Sequence, residues 1–150
     1  MGAWGYKALE SDEGLDVVGF LRDYIEKQTN SNHITLSNIV QAMKNKGFFG
    51  ETFDDIDYFY DVSAMALAEL SIEYLDTGTF CGNESSAALI QITIDEGSLT
   101  FILRYLKDIR DEIPDQHGSR EIVELWQESN KWDEWQTNLT CLIQRLEQEI

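Results

Sequence analysis

Asp54, Asp57 and Asp61 stand at i, i+3 and i+7, with Glu51 close by, so on a helix the three aspartates share one face. Carboxylates at that spacing can do three things. They can solvate a helix start, where the macrodipole favours negative charge. They can offer oxygen ligands to a hard cation, although neither an EF-hand loop nor a His–carboxylate set accompanies them. Or they can form an acidic docking face, which Glu69, Glu73 and Asp76 extend along the same segment. At about 100° per residue, Glu69 and Glu73 are rotated towards an apolar row, which predicts a partly buried Glu69 with a polar partner. Hydrolysis by paired carboxylates needs a cleft and split pKa values, and neither is legible in the sequence.

The remaining chemistry is sparse. His33 and His117 are the only histidines, and neither belongs to an HExxH motif or stands beside a cysteine or serine in a recognisable arrangement. Both are expected to be surface or capping residues. Gly47–Gly50 encloses two phenylalanines with no lysine following, so no phosphate-cradling loop is present. Cys81 and Cys141 lack zinc spacing and are expected to be ordinary buried thiols. The sequence therefore assigns no catalytic residue, no metal site and no cofactor.

The 150 residues carry 28 Asp and Glu against 11 Lys and Arg, a net charge of −17. The excess is uneven, because no basic residue occurs between Lys46 and Arg104. Nucleic acid and anionic membranes need Lys and Arg clusters, so neither is expected as a direct ligand. A basic protein partner, steered in by the negative field, is compatible. So is a surface charged only for solubility, although such surfaces usually mix both signs. The longest apolar run is too short for a membrane span, and the amino terminus has neither a basic n-region nor an apolar h-region. A cytoplasmic chain is expected.

The aspartates belong to Asp54–Asp76, predicted as the core helix. Ile56, Phe59, Tyr60, Ser63, Leu67, Leu70 and Tyr74 recur three or four apart, and Val62, Met65, Ala66 and Ile72 widen the apolar sector. Thr52-x-x-Asp55 resembles a capping box at its start, and Gly78 suits its end. Before it, a helix capped by Ser11 or Asp12 carries Leu15, Val18, Leu21 and Ile25, and a second runs from about Thr35 to Lys46. After it, helices are predicted from Ser98 to Ile113, after Ser119, and from Trp132 to Gln148. The stretch 79–97 is ambiguous. Ile90, Ile92 and Ile94 alternate as in a strand, but a lone strand lacks a partner, so a helix or extended loop is preferred. With a single proline, the chain reads as all-α or mostly α. The expectation is one helical domain over residues 1–150, with five to seven helices. Trp4, Trp126, Trp132 and Trp135 are read as structural anchors, Trp4 fixing the amino terminus against the core.

Two stretches resemble a bacterial family of small uncharacterised domains, a domain of unknown function. One is Met1-Gly2-Ala3-Trp4-Gly5 followed by Leu9–Asp16; the other is Ser119–Trp135, with its Leu-Trp, Glu-Ser and final Trp. The departures are Leu9 for Phe, Ser11 for Asn and Gly14 for Ala. The resemblance implies a mostly helical single domain and no activity.

Two function classes follow. The first is a non-enzymatic acidic binding protein, of immunity or inhibitor type. It would dock through Glu51, Asp54, Asp57, Asp61, Glu69 and Glu73 on a basic partner such as a toxin or a defence nuclease of bacteria or phage, as a nucleic-acid mimic. The second is a small enzyme or metal-binding protein with an unrecognised carboxylate site.

Overall fold

Ala64, Met65, Ala66, Leu67 and Ala68 form an uninterrupted apolar run with small residues interspersed, and small side chains let other helices approach from several directions. The computed structural model, which describes residues 3–28, 33–81 and 91–150, builds the molecule on that property. Helix α3 (Tyr58–Thr77) buries every residue from Asp61 to Ala68 as well as Leu70 and Ser71. Around it pack α1 (Asp12–Glu26), α4 (Glu96–Arg110), the short α5 (Glu121–Gln127) and α6 (Trp132–Glu147). Helix α2 (Leu36–Asn45) packs on α4. The fold is mostly α, as the periodicity requires. Two core hydroxyls on α3 are satisfied within the helix: Ser63 donates to the Phe59 carbonyl at 2.8 Å and Ser71 to that of Leu67 at 2.7 Å.

Helix α3 begins four residues later than its apolar pattern suggests. Thr52-x-x-Asp55 forms a turn instead of a helix start: the Asp55 carboxylate accepts from the amides of Glu51 and Thr52 at 2.9 and 3.2 Å. Asp57 is the actual N-cap, accepting from Phe59 N–H at 2.8 Å. The end is as expected, with Gly78 at φ +78° in the left-handed conformation that suits glycine.

Strand β2 (Gln91–Thr93) corrects the preference for helix or loop there. It pairs in parallel with β1 (His33–Thr35), so the strand has a partner inside a stretch that reads as the approach to a helix. Each strand runs directly towards a helix, and one carboxylate serves both. Asp95 caps α4 through Ser98 N–H at 3.0 Å and accepts from Ser37 N–H and Oγ on α2 at 3.0 and 2.6 Å. Residues 82–90, including Ile90 of the ambiguous stretch, lie outside the described residues.

The amino terminus is held differently from expectation. Trp4 is 58% exposed and anchors nothing. Glu69 does that work from the middle of α3: its carboxylate accepts from Ala8 N–H at 2.8 Å and Leu9 N–H at 3.1 Å, at the start of a single 3₁₀ turn, Ala8–Glu10. Ser11 then caps α1 through Gly14 N–H at 3.0 Å. A Cβ at Gly14 would fall 1.9 Å from the Ala8 carbonyl oxygen, so this tight entry to α1 requires glycine. Leu15, placed on the apolar face by its spacing, is half exposed, and Val17, Leu21 and Ile25 form the buried row.

The other tryptophans are the expected anchors. Trp126 and Trp135 are buried and stacked at 6.1 Å, with half-buried Trp132 stacked on Trp135 at 5.4 Å, locking α5 and α6 together. Cys81 is buried and Cys141 exposed, and both are free thiols, which corrects the reading of two buried ones.

Trp135→Ala should lower the unfolding free energy by about 3–5 kcal/mol in urea denaturation. Trp4→Ala should change it by less than about 0.5 kcal/mol, as exposed positions do. Glu69→Gln, which leaves one of two amides without its acceptor oxygen, should cost about 1–3 kcal/mol.

Candidate functional site

The stretch that carries the aspartates is pinned by aromatic packing before it reaches α3. Phe49 lies edge-on to Phe101 at 5.1 Å and Phe53 to Tyr105 at 5.2 Å, fastening the approach to α3 onto α4. The chain then turns tightly; a Cβ at Gly50 would lie 2.5 Å from that of Asp55. This places Asp54, Asp55 and Asp57 side by side along one wall of a cleft of about 370 Å³. The opposite wall is the α4–α5 loop, with Asp115, Gln116 and His117, while Ile56 and Tyr60 complete the lining. No Lys or Arg lines it. A second groove of about 330 Å³ shares Asp54, Ile56, Asp115 and Gln116 and continues past Phe53, Arg104 and Asp108.

The six carboxylates expected to form one docking face separate into three environments. Glu51, Asp54 and Asp57 are exposed, at or next to the cleft. Glu73 is half-buried and accepts from Thr79 Oγ1 at 3.1 Å, and Glu69 is the amino-terminal clamp with the buried polar partner expected for it. Burial raises the Glu69 pKa in spite of its bonds from Leu9 and Ala8.

Asp61 is the correction. It is not on the surface at all, but 1% exposed and in a forked ion pair with Arg120, whose Nη2 and Nε donate at 2.7 and 3.0 Å. The helical face expected to carry three aspartates does not form, because α3 starts only after Asp57, and Arg120 from the α4–α5 loop takes up Asp61 inside its first turn. The basic residues nearest in sequence do not neutralise the exposed aspartates: Arg104 pairs with Asp108, Lys107 with Glu147, and Lys44 sits over the Phe101 ring.

Asp115 and Arg120 were not singled out by sequence reasoning, which read Asp55 only as part of a capping box and His117 only as a surface or capping residue. Pro-Asp-Gln-His-Gly is legible as a turn, yet nothing in it says that the turn folds back beside the start of α3. His117 stays exposed, as expected of a surface residue. The Asp115 carboxylate accepts from Ser119 and His117 amides, which hold its pKa below the usual carboxylate range. Asp115 is therefore ionised at neutral pH. Among the described residues, no group of three or more His, Cys, Asp or Glu side chains is disposed to hold a metal ion.

A family model with the description "domain of unknown function (DUF4259)" matches residues 2–138. The chain belongs to that family. The DUF4259 match spans the cleft, the Asp61–Arg120 pair and the Glu69 clamp, and it bears out the expected resemblance to a domain of unknown function. No curated protein and no solved structure matches the chain. No helix among the described residues is long and apolar enough to cross a membrane.

Burial raises the Asp61 pKa from its ordinary 3.8 to about 6; Arg120 opposes that rise, while Asp57 and Asp108 add to it. The native state therefore holds a proton between those values that the unfolded chain has released. Its contribution to stability is complete below about pH 3.8 and is lost as pH rises through about 6. Unfolding free energies of wild type and Asp61→Asn from pH 4 to 7 should show the wild type losing ground over that window, and a difference that grows with pH contradicts this. Arg120→Ala at pH 7 should cost about 3–5 kcal/mol, since it strands a buried carboxylate.

Proposed function

We propose that this DUF4259 chain is a non-enzymatic acidic binding protein that docks on a basic partner through the cleft between the start of α3 and the α4–α5 loop. What supports it most is a single feature: Asp54, Asp55, Asp57 and Asp115 converge on one concavity whose lining contains no Lys or Arg. Carboxylates brought together from two parts of the chain repel one another, and a cationic group placed among them relieves that repulsion. With a net charge of −17, the whole molecule also draws a basic partner towards the cleft. A toxin or a defence nuclease has a basic surface built for phosphates, and an immunity-type or inhibitor protein that mimics nucleic acid would cover it with carboxylates spaced as these are.

Asp54→Asn with Asp57→Asn should slow association with the partner and flatten its dependence on salt, leaving the dissociation rate less affected. Fold stability should hardly change, because asparagine caps a helix about as well as aspartate does. The assay is a binding-rate measurement on the partner recovered from the native host at low salt, repeated at high salt. An affinity that is the same at both salt concentrations overturns the docking role.

A further inference from the structure

The α4–α5 loop, 111–120, is bonded to itself around Asp115. Asp115 N–H donates to the Ser119 carbonyl at 2.8 Å, and the Asp115 carboxylate accepts from the His117 and Ser119 amides at 2.8 and 3.2 Å. None of these bonds fixes where the loop sits relative to α3, whose N-cap Asp57 and first-turn Tyr60 line the cleft together with the segment 54–56. Among the described residues, the hydrogen bonds joining 113–120 to α3 are those of Arg120. Its Nε and Nη2 hold Asp61, one helical turn beyond Asp57, while its Nη1 donates to the Ile113 carbonyl at 3.1 Å, at the far end of the loop. One guanidinium thus closes residues 113 and 120 on each other and on Asp61 of α3, so its loss would loosen the loop's internal bonds as well as its position beside the helix. The paired side chains are 2% and 1% exposed, so water does not compete for these bonds.

We propose that the Asp61–Arg120 pair is the latch that sets the width of the acidic cleft, which makes Arg120 a positioning residue for the docking role proposed above. Asp57 is the N-cap of α3 and Asp61 lies in its first turn, and Asp57 disfavours the ionised form of Asp61. A cation held beside Asp57 offsets that effect and favours the paired state. The coupling is reciprocal, so a tight latch raises the affinity of the cleft for a cation and a loosened latch lowers it.

The test is Arg120→Lys, which keeps the charge and loses the fork that bonds Asp61 and Ile113 together. An octalysine peptide is the probe, and amide hydrogen exchange reads the loop. In the folded variant, the Gly118 and Ser119 amides should exchange about tenfold faster while the middle of α3 is unchanged, and octalysine should bind about tenfold more weakly although no cleft carboxylate has been altered. Wild-type protection of those amides in folded Arg120→Lys overturns the latch, as does a loosened loop with unchanged octalysine affinity. Failure of the wild type to bind octalysine at low salt removes the docking role instead, and the exchange rates still judge the latch. If Arg120→Lys does not fold, the same measurements are made on Asp61→Asn. In the wild type, Gly118 and Ser119 should exchange at least about 100-fold more slowly than in an unstructured peptide, and peptide-like rates there overturn the latch without any variant.

Discussion

A forked ion pair in the interior, Asp61 with Arg120, is the constraint on which the cleft half of the molecule depends. A charged pair taken out of water rarely adds net stability compared with apolar side chains of similar size, but breaking one by removing a single partner is costly. Its effect is therefore on geometry. Helix α5 is only two turns long, and the loop before it packs few apolar groups, so propensity places neither. Arg120 does, by accepting one position only: beside Asp61, with the Ile113 carbonyl as third partner. From there Ile122, Val123 and Trp126 enter the core, and the stacked tryptophans carry the alignment on to α6.

Long-range contacts of this kind sort the acidic residues. Asp61, Glu69 and Glu73 are each spent inside the fold, on a guanidinium, on two backbone amides and on a threonine hydroxyl. Asp54, Asp55, Asp57 and Asp115 also accept backbone N–H groups or line turns, yet keep their outer faces on the cleft. Charge in this protein thus divides between carboxylates that build the architecture and carboxylates left free to attract a cation. The division follows from which partner each helical turn of α3 meets: Arg120 at Asp61, the amino terminus at Glu69 and Thr79 at Glu73.

Helix periodicity made most of the fold legible. Helices α2 and α6 and the exit of α3 at Gly78 fall close to where spacing and caps put them, because those signals are local, while α4 stops at Arg110, short of the expected Ile113. What was not legible is long-range. Asp61 and Asp57 read alike on a helical wheel, but α3 starts only after Asp57, and an arginine 59 residues away takes up Asp61. Gln91–Thr93 looked like a strand without a partner because His33–Thr35 reads as a helix approach. Trp4 had the composition of an anchor, but a glutamate on α3 holds the amino terminus through backbone amides, which carry no side-chain signature. Gly14 is explained by the Ala8 carbonyl that α1 must clear.

The acidic cleft is tested most directly by chemical-shift mapping of the isotopically labelled protein with octalysine, at low and then at high salt. The docking role requires shifts at low salt confined to residues 54–57 and 115–118, fading as salt screens the carboxylates. Shifts centred elsewhere on the molecule, or none at low salt, contradict it.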